Sequence, residues 1–146
     1  MLKITRLADY SVLILCQFSM RHDKVLSSSK VSKGTGINIA TVNKLLSLLV
    51  KGKVLIAIRG SKGGYKPSRK LEDISIKEII EAVEGPVTLT NCLDKNTSDK
   101  CNLIDSCITK NTWSKVNNAV ANTLHSIKVD HINRQFFAAN TFNKYN

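Results

Sequence analysis

The chain has 146 residues, 42% of them hydrophobic, enough for one domain with a real core and an appended element. Its net charge of +11 is unevenly placed: residues 1–70 hold 14 Lys and Arg against Asp9 and Asp23, whereas residues 71–146 hold 8 basic and 9 acidic side chains. A basic N-terminal module joined to a near-neutral one implies a polyanion partner, because a charge serving only solubility has no reason to segregate.

The opening "MLKITRLADY" puts Asp9 just before a short apolar run, which suits neither a signal peptide nor a membrane span, so a cytoplasmic protein without membrane contact is expected. From Thr5 to about Met20, Leu7, Tyr10, Val12, Leu13, Ile14, Leu15 and Phe18 surround a helix on most sides, which predicts a largely buried anchor. Cys16 lies in this run and reads as a small core hydrophobe. Ser27 or Ser28 caps a short helix around Val31, which Gly34 and Gly36 break. Asn38 then caps "IATVNKLLSLLVKG", in which Ile39, Val42, Leu46 and Leu49 are spaced for one face and Gly52 supplies the stop. Two helices across a tight turn make a helix-turn-helix, with the second in the recognition position.

The segment "VLIAIRGSKGGYKPSR" alternates Val54, Ile56 and Ile58, turns through Gly60 to Gly64 and returns through Tyr65, the pattern of a β-hairpin. A hairpin after a helix-turn-helix is a wing. Arg59, Lys62, Lys66 and Arg69 would put positive charge on it and its flanks, facing phosphates or a minor groove. In the recognition helix, Asn38, Thr41, Asn43 and Lys44 occupy the first turns, where Asn pairs with adenine and Lys with guanine or phosphate. Next, "DISIKEIIEAVEGP" carries a Ser75–Glu78 capping box, a stripe of Ile76, Ile79, Ile80 and Val83, and a Gly85-Pro86 stop.

Three of the four cysteines, Cys92, Cys101 and Cys107, fall in "NCLDKNTSDKCNLIDSC", which has no helical or strand period. An odd number cannot pair off internally, and thiols clustered in a reducing compartment bind metal, catalyse or sense redox state more often than they form structural bridges. Spacings of eight and five residues could wrap an iron–sulfur cluster. Zinc would favour a tighter chelate, although His22 or His125 could complete one; a regulatory disulfide between two thiols is also open. Beyond the loop, Trp113, Val116, Val120, Leu124 and Ile127 recur at steps of three and four, an amphipathic helix suited to pairing with a second copy. The tail "HINRQFFAANTFNKYN" has no period. No C-x-x-C, G-x-S-x-G or P-loop motif indicates an enzyme.

The ordered set "ITRLADYSVLIL", "TGINIATVNKLLSLLVKGKV", "RGSKGGYK", "ISIKEIIEAVEGP" and the Cys triad with Trp113 resembles the Rrf-two family of bacterial transcription regulators over about residues 1–130. That resemblance implies a homodimer on palindromic double-stranded DNA, with three cysteines per subunit holding a [2Fe-2S] or [4Fe-4S] cluster whose state sets DNA affinity. It implies a repressor of cluster-assembly genes or of a nitric oxide or oxidative-stress response. The first gap of the triad is longer than is usual in the family. Members of IscR type carry a His three residues after the last Cys, where Lys110 stands here. Members of NsrR type use an Asp of the first helix, reaching across the dimer, and Asp9 matches it. Alternatives are a cluster-free disulfide switch, an iron–sulfur electron carrier, which would not need a helix-turn-helix, and a winged helix serving as a protein-interaction module.

The expected architecture is therefore mainly α with a small β-hairpin wing. Residues 1–86 form a winged helix-turn-helix domain, 87–107 a cysteine loop, 108–128 a dimerisation helix, and 129–146 a tail.

Overall fold

The computed structural model describes residues 3–20, 25–94, 101–102 and 106–134. Helix α1 spans Arg6–Met20, α2 Ser28–Thr35 and α3 Ile39–Lys51; the hairpin is β1, Leu55–Ile58, with β2, Gly64–Pro67; α4 is Ile76–Glu84 and α5 Lys110–Ser126. Together these make the expected mainly helical winged-helix arrangement.

Helix α1 starts where Thr5 Oγ1 accepts the Ala8 N–H at 3.3 Å. It buries Ala8, Ile14, Leu15, Cys16 and Phe18 but leaves Leu13 exposed, so its apolar surface is wider than the core it meets. The Ser27 hydroxyl accepts the Lys30 N–H to start α2. Gly36, at φ 74°, takes the left-handed position that ends it, a conformation that suits glycine. Asn38 Oδ1 then accepts the Thr41 N–H at 2.8 Å and opens α3.

The core face of α3 differs from the expected stripe. Ile39 is 45% exposed, and the buried set is Val42, Leu45, Leu46 and Leu49. The contact with the rest of the core begins one turn later than the apolar spacing suggested, at Val42.

β1 and β2 pair antiparallel, Leu55 opposite Pro67 and Ile58 opposite Gly64. A third short element completes this sheet: Leu26 exchanges two backbone hydrogen bonds with Tyr65, at 2.9 and 2.8 Å. A Cβ on Gly64 would lie 2.6 Å from the Leu26 carbonyl oxygen, so this approach needs glycine. The inward alternation read from Val54, Ile56 and Ile58 does not hold. Val54 and Leu55 are buried and Ile56 is 43% exposed, since only the base of the hairpin reaches the core.

At the start of α4 the capping box is complete: Ser75 Oγ accepts the Glu78 N–H at 3.3 Å, and Glu78 Oε2 accepts the Ser75 N–H at 2.9 Å. Ile79 and Ile80 face inward. α4 crosses the end of α3 closely, since a Cβ on Gly52 would come within 2.4 Å of Ala82 Cβ. Downstream, the cysteine segment, expected to be without period, contains one 3-10 turn, Asn91–Leu93.

Helix α5 is about 25 Å long at 1.5 Å per residue and buries no residue fully. Val120 and Leu124 are half-buried, while Trp113 is 44% and Val116 39% exposed. After α5 the chain returns to α4. Ile76 N–H donates to Ile127 O at 2.9 Å, Val129 N–H donates to Ile74 O at 3.1 Å, and Val129 is fully buried in the main core. Residues 129–134 are helical. The start of the expected tail is thus core structure, signalled in the sequence by little more than one valine; the rest of it, 135–146, lies outside the described residues. No helix among the described residues is long and apolar enough to cross a membrane.

Candidate nucleic-acid interface and thiol loop

The first turns of α3 present Asn43 and Lys44 as exposed side chains. Asn38 is also exposed, but its Oδ1 is committed to the helix cap, and Thr41 is half-buried. Ile39 and Ala40 are exposed beside them. Sequence reasoning missed this apolar pair as surface, because an isoleucine in helical register reads as core.

On the wing, Arg59 and Lys62 are exposed on either side of Gly60. Arg69 differs from them: its guanidinium is paired with the Glu78 carboxylate, so it is tied to α4. Burial pushes the Glu78 pKa up, but hydrogen bonds from the Ser75 N–H and hydroxyl, together with the Arg69 charge, outweigh it and leave the carboxyl below its ordinary value. Lys44 on the recognition helix and Arg59 and Lys62 on the wing are thus exposed cations on the two elements of a winged helix, α3 and the antiparallel hairpin that follows it.

The four cysteines are free thiols. Cys16 is buried, and burial raises its pKa, as fits a packing role. Cys92 is half-buried with Sγ 3.2 Å from Thr90 Oγ1. Cys101 is exposed. Cys107 lies three residues before α5, its Sγ 3.3 Å from Thr109 Oγ1. Hydrogen bonds from the Thr109 hydroxyl and then its N–H lower the Cys107 pKa against a smaller effect of desolvation, and Lys110 adds to the lowering.

Asp9 is exposed on the first turn of α1, and His125 is exposed near the end of α5. His22 and the loop residues 95–100 and 103–105 lie outside the described residues. The donor chemistry of three thiols suits an iron–sulfur cluster. Among the described residues of one chain, however, no three His, Cys, Asp or Glu side chains stand close enough together to hold a metal ion.

One contact near the loop had no sequence signal. Asn117, two turns into α5, donates through Nδ2 to the Val87 carbonyl at 3.2 Å, and its Oδ1 accepts the Leu89 N–H at 2.9 Å. An Asn in a polar helix face is unremarked in sequence, since its partners are backbone groups about thirty residues away. Next to this contact, a cleft of about 440 Å3 lies between the end of α4 and α5, bordered by Ile80, Glu84, Val87, Val120 and Leu124.

A helix-turn-helix, a hairpin wing and exposed cations on both define a winged-helix DNA-binding protein. The sequence profile of the Rrf2 family, described as iron-dependent transcriptional regulators, matches residues 4–135, and the chain belongs to that family. IscR of Pectobacterium atrosepticum, an HTH-type transcriptional regulator, is 23% identical over 132 residues, covering 90% of this chain and 79% of its own. Protein rrf2 of Nitratidesulfovibrio vulgaris is 24% identical over 126 residues, covering 86% and 83%. Among solved structures, the global cysteine regulator CymR of B. subtilis superimposes with a TM-score of 0.69 at 20% identity, covering 92% of this chain and 98% of its own. T. potens IscR superimposes with a TM-score of 0.65 at 21% identity, covering 92% and 88%. The chain is accordingly a transcription regulator and not an enzyme.

Proposed function

We propose that this protein is a cytoplasmic repressor that binds a palindromic double-stranded operator as a homodimer, and that an iron–sulfur cluster held by Cys92, Cys101 and Cys107 sets its DNA affinity. Asp9 of a second copy is the fourth ligand in this reading. The regulated genes serve cluster assembly or a nitric oxide or oxidative-stress response. The observation that carries the reading is the position of the three free thiols, all on the segment joining α4, which packs against the recognition helix, to α5, whose Trp113 and Val116 are left exposed. Asn43 and Lys44 read base edges, Ile39 and Ala40 offer apolar surface to thymine methyl groups, and Arg59 and Lys62 hold the DNA backbone, with Asn38 and Thr41 beginning the reading helix.

The test is anaerobic purification followed by iron and sulfide assays and operator binding at matched salt. Cys92→Ala, Cys101→Ala and Cys107→Ala should each abolish the cluster in a folded protein, and Asp9→Ala should leave a more labile one. Full iron and sulfide in any of the three cysteine variants, or equal operator affinity of cluster-loaded and cluster-free protein, refutes the reading.

The Thr109 hydroxyl 3.3 Å from Cys107 Sγ, which favours the thiolate, supports a second reading, a cluster-free disulfide switch, because the thiolate is the form that attacks a disulfide or an oxidant. Staphylococcus aureus CymR, solved in an oxidized form, is a fold neighbour with a TM-score of 0.62 at 18% identity. Loss of operator affinity on oxidising iron-free protein, reversed by a dithiol, would support the switch instead.

A further inference from the structure

We propose that Asn117 is a positioning residue for the thiol loop: its side-chain amide hangs the arm that carries Cys92 on the helix whose start carries Cys107. The inference rests on the loop being the sensing element, but not on which chemistry it uses.

The arm between α4 and Cys92 pairs with no strand among the described residues, and its Val87 N–H donates to Glu81 Oε1 at 3.4 Å. It leaves α4 at Gly85, whose φ of 90° ends the helix, and runs through Pro86 into residues that are only half-buried. Asn117 supplies what a neighbouring strand would otherwise give, one donor and one acceptor, to the carbonyl of Val87 and the N–H of Leu89. From there the path to the thiol is a short series of hydrogen-bonded turns. Leu93 N–H donates to Thr90 O at 3.0 Å, Asp94 N–H donates to Asn91 O at 3.2 Å, and Thr90 Oγ1 meets Cys92 Sγ. At the other end, Cys107 O accepts the Lys110 N–H at the first residue of α5, with Thr109 Oγ1 on its sulfur. Both thiols are thereby referred to a single rigid element. Without Asn117, the arm that carries Cys92 loses its side-chain link to α5, and bringing Cys92 to Cys107 costs more of the loop-closure entropy of the chain between them.

Where a frame lets two thiols meet, it gives them a higher effective concentration than a free tether does, and the Asn117 anchor is proposed to act in this way. This matters equally for ligating one cluster and for forming one disulfide, so it can be measured without iron. The assay is the equilibrium of the Cys92/Cys107 pair with glutathione in a Cys101→Ser background. One glutathione disulfide takes two electrons from the two protein thiols, giving one protein disulfide and two glutathione thiols, and Cys16 is shielded by burial. Asn117→Ala should lower the effective concentration of the pair by about tenfold or more, the scale on which tether geometry acts. Asn118→Ala, at an exposed neighbour on the same helix, should leave it unchanged, and both variants should match the parent in operator affinity when reduced; Asn117→Ala, which gives up two hydrogen bonds, should melt lower than the parent. Should Asn117→Ala fail to fold, Asn117→Asp keeps the acceptor for the Leu89 N–H but sets an oxygen against the Val87 carbonyl. It should still lower the effective concentration by about threefold. An effective concentration within twofold of the parent in the folded Asn117 variant, or an equal fall in Asn118→Ala, overturns the proposal. Because no iron enters the assay, that result leaves the cluster reading untouched, and absence of a cluster in the parent leaves this inference untouched.

Discussion

Replacing Arg59 and Lys62 with glutamine should change how the protein responds to salt more than it changes which sequences it prefers. Both side chains are exposed at the tip of a hairpin whose base alone is packed into the core, so their loss leaves the fold intact. Each cation that neutralises a phosphate contributes about −0.9 to the slope of log affinity against log salt, so two lost contacts remove about 1.8 for every wing engaged. Between 50 and 200 mM salt the wild-type advantage over the double variant should then shrink by about twelvefold for one wing, or about 150-fold for the two wings of a dimer. Arg69→Gln is the internal control: its guanidinium is already paired with Glu78, so the slope should not move. Filter binding or fluorescence anisotropy on operator and scrambled duplexes across a salt series gives the slopes, and their difference counts the wings. A double variant with the wild-type slope would show that the hairpin tip does not touch the phosphate backbone. A slope change seen on the operator but not on scrambled DNA would show that it reads bases.

Glu78 has a lowered folded-state pKa, so its ionised form stabilises the native protein above the ordinary carboxylate value, and that contribution disappears as pH falls through the lower folded value. Glu78→Gln keeps the capping geometry without the charge. Unfolding free energies from urea titrations of the two proteins should differ by less than about 1 kcal/mol at pH 7, given a partly exposed pair, and converge in acid; a gap that widens in acid contradicts the assignment. Gly52→Ala should cost about 1–3 kcal/mol by overpacking, because its Cβ would sit 2.4 Å from Ala82 Cβ. Ala82→Gly should recover part of that loss, so strictly additive effects in a double-mutant cycle would rule out the close crossing. If the proposed homodimer forms through α5, Trp113→Glu with Val116→Glu should lower the sedimentation coefficient to that of a monomer, and an unchanged coefficient would rule out that contact.

The helix-turn-helix, the wing and α4 were legible in the sequence because their signals are local: Ser27, Asn38 and Ser75 cap within three residues, Gly36 and Gly85 stop, and the isoleucines of α4 repeat at helical steps. What escaped was set by tertiary contact. Whether Ile39 is buried depends on which residues of α3 meet the other helices, and no periodicity encodes that. The Leu26 bridge to Tyr65, the return of Val129 to the core and the Asn117 contact each join backbone groups to distant residues, and they leave no pattern over a short window. For the candidate site, the sequence singled out the thiols and the basic tip. It did not distinguish Arg59 and Lys62 from Arg69, because the Glu78 partner comes from a different element.

The return of the chain at Ile127–Val129 has a consequence for synthesis. Ile74 and Ile76 take backbone partners from residues that follow the whole cysteine loop and α5, and Val129 fills a place in the same core as Leu46 and Leu49. A ribosome releasing this chain from its N-terminus exposes both helices of the DNA reader and its wing well before that last valine is out. On a nascent chain that ends before the thiol loop, the reader's core lacks Val129, and Ile74 and Ile76 lack their backbone partners. The last piece of the reader's core is thus made only after the thiol loop, so the two are completed in a fixed order.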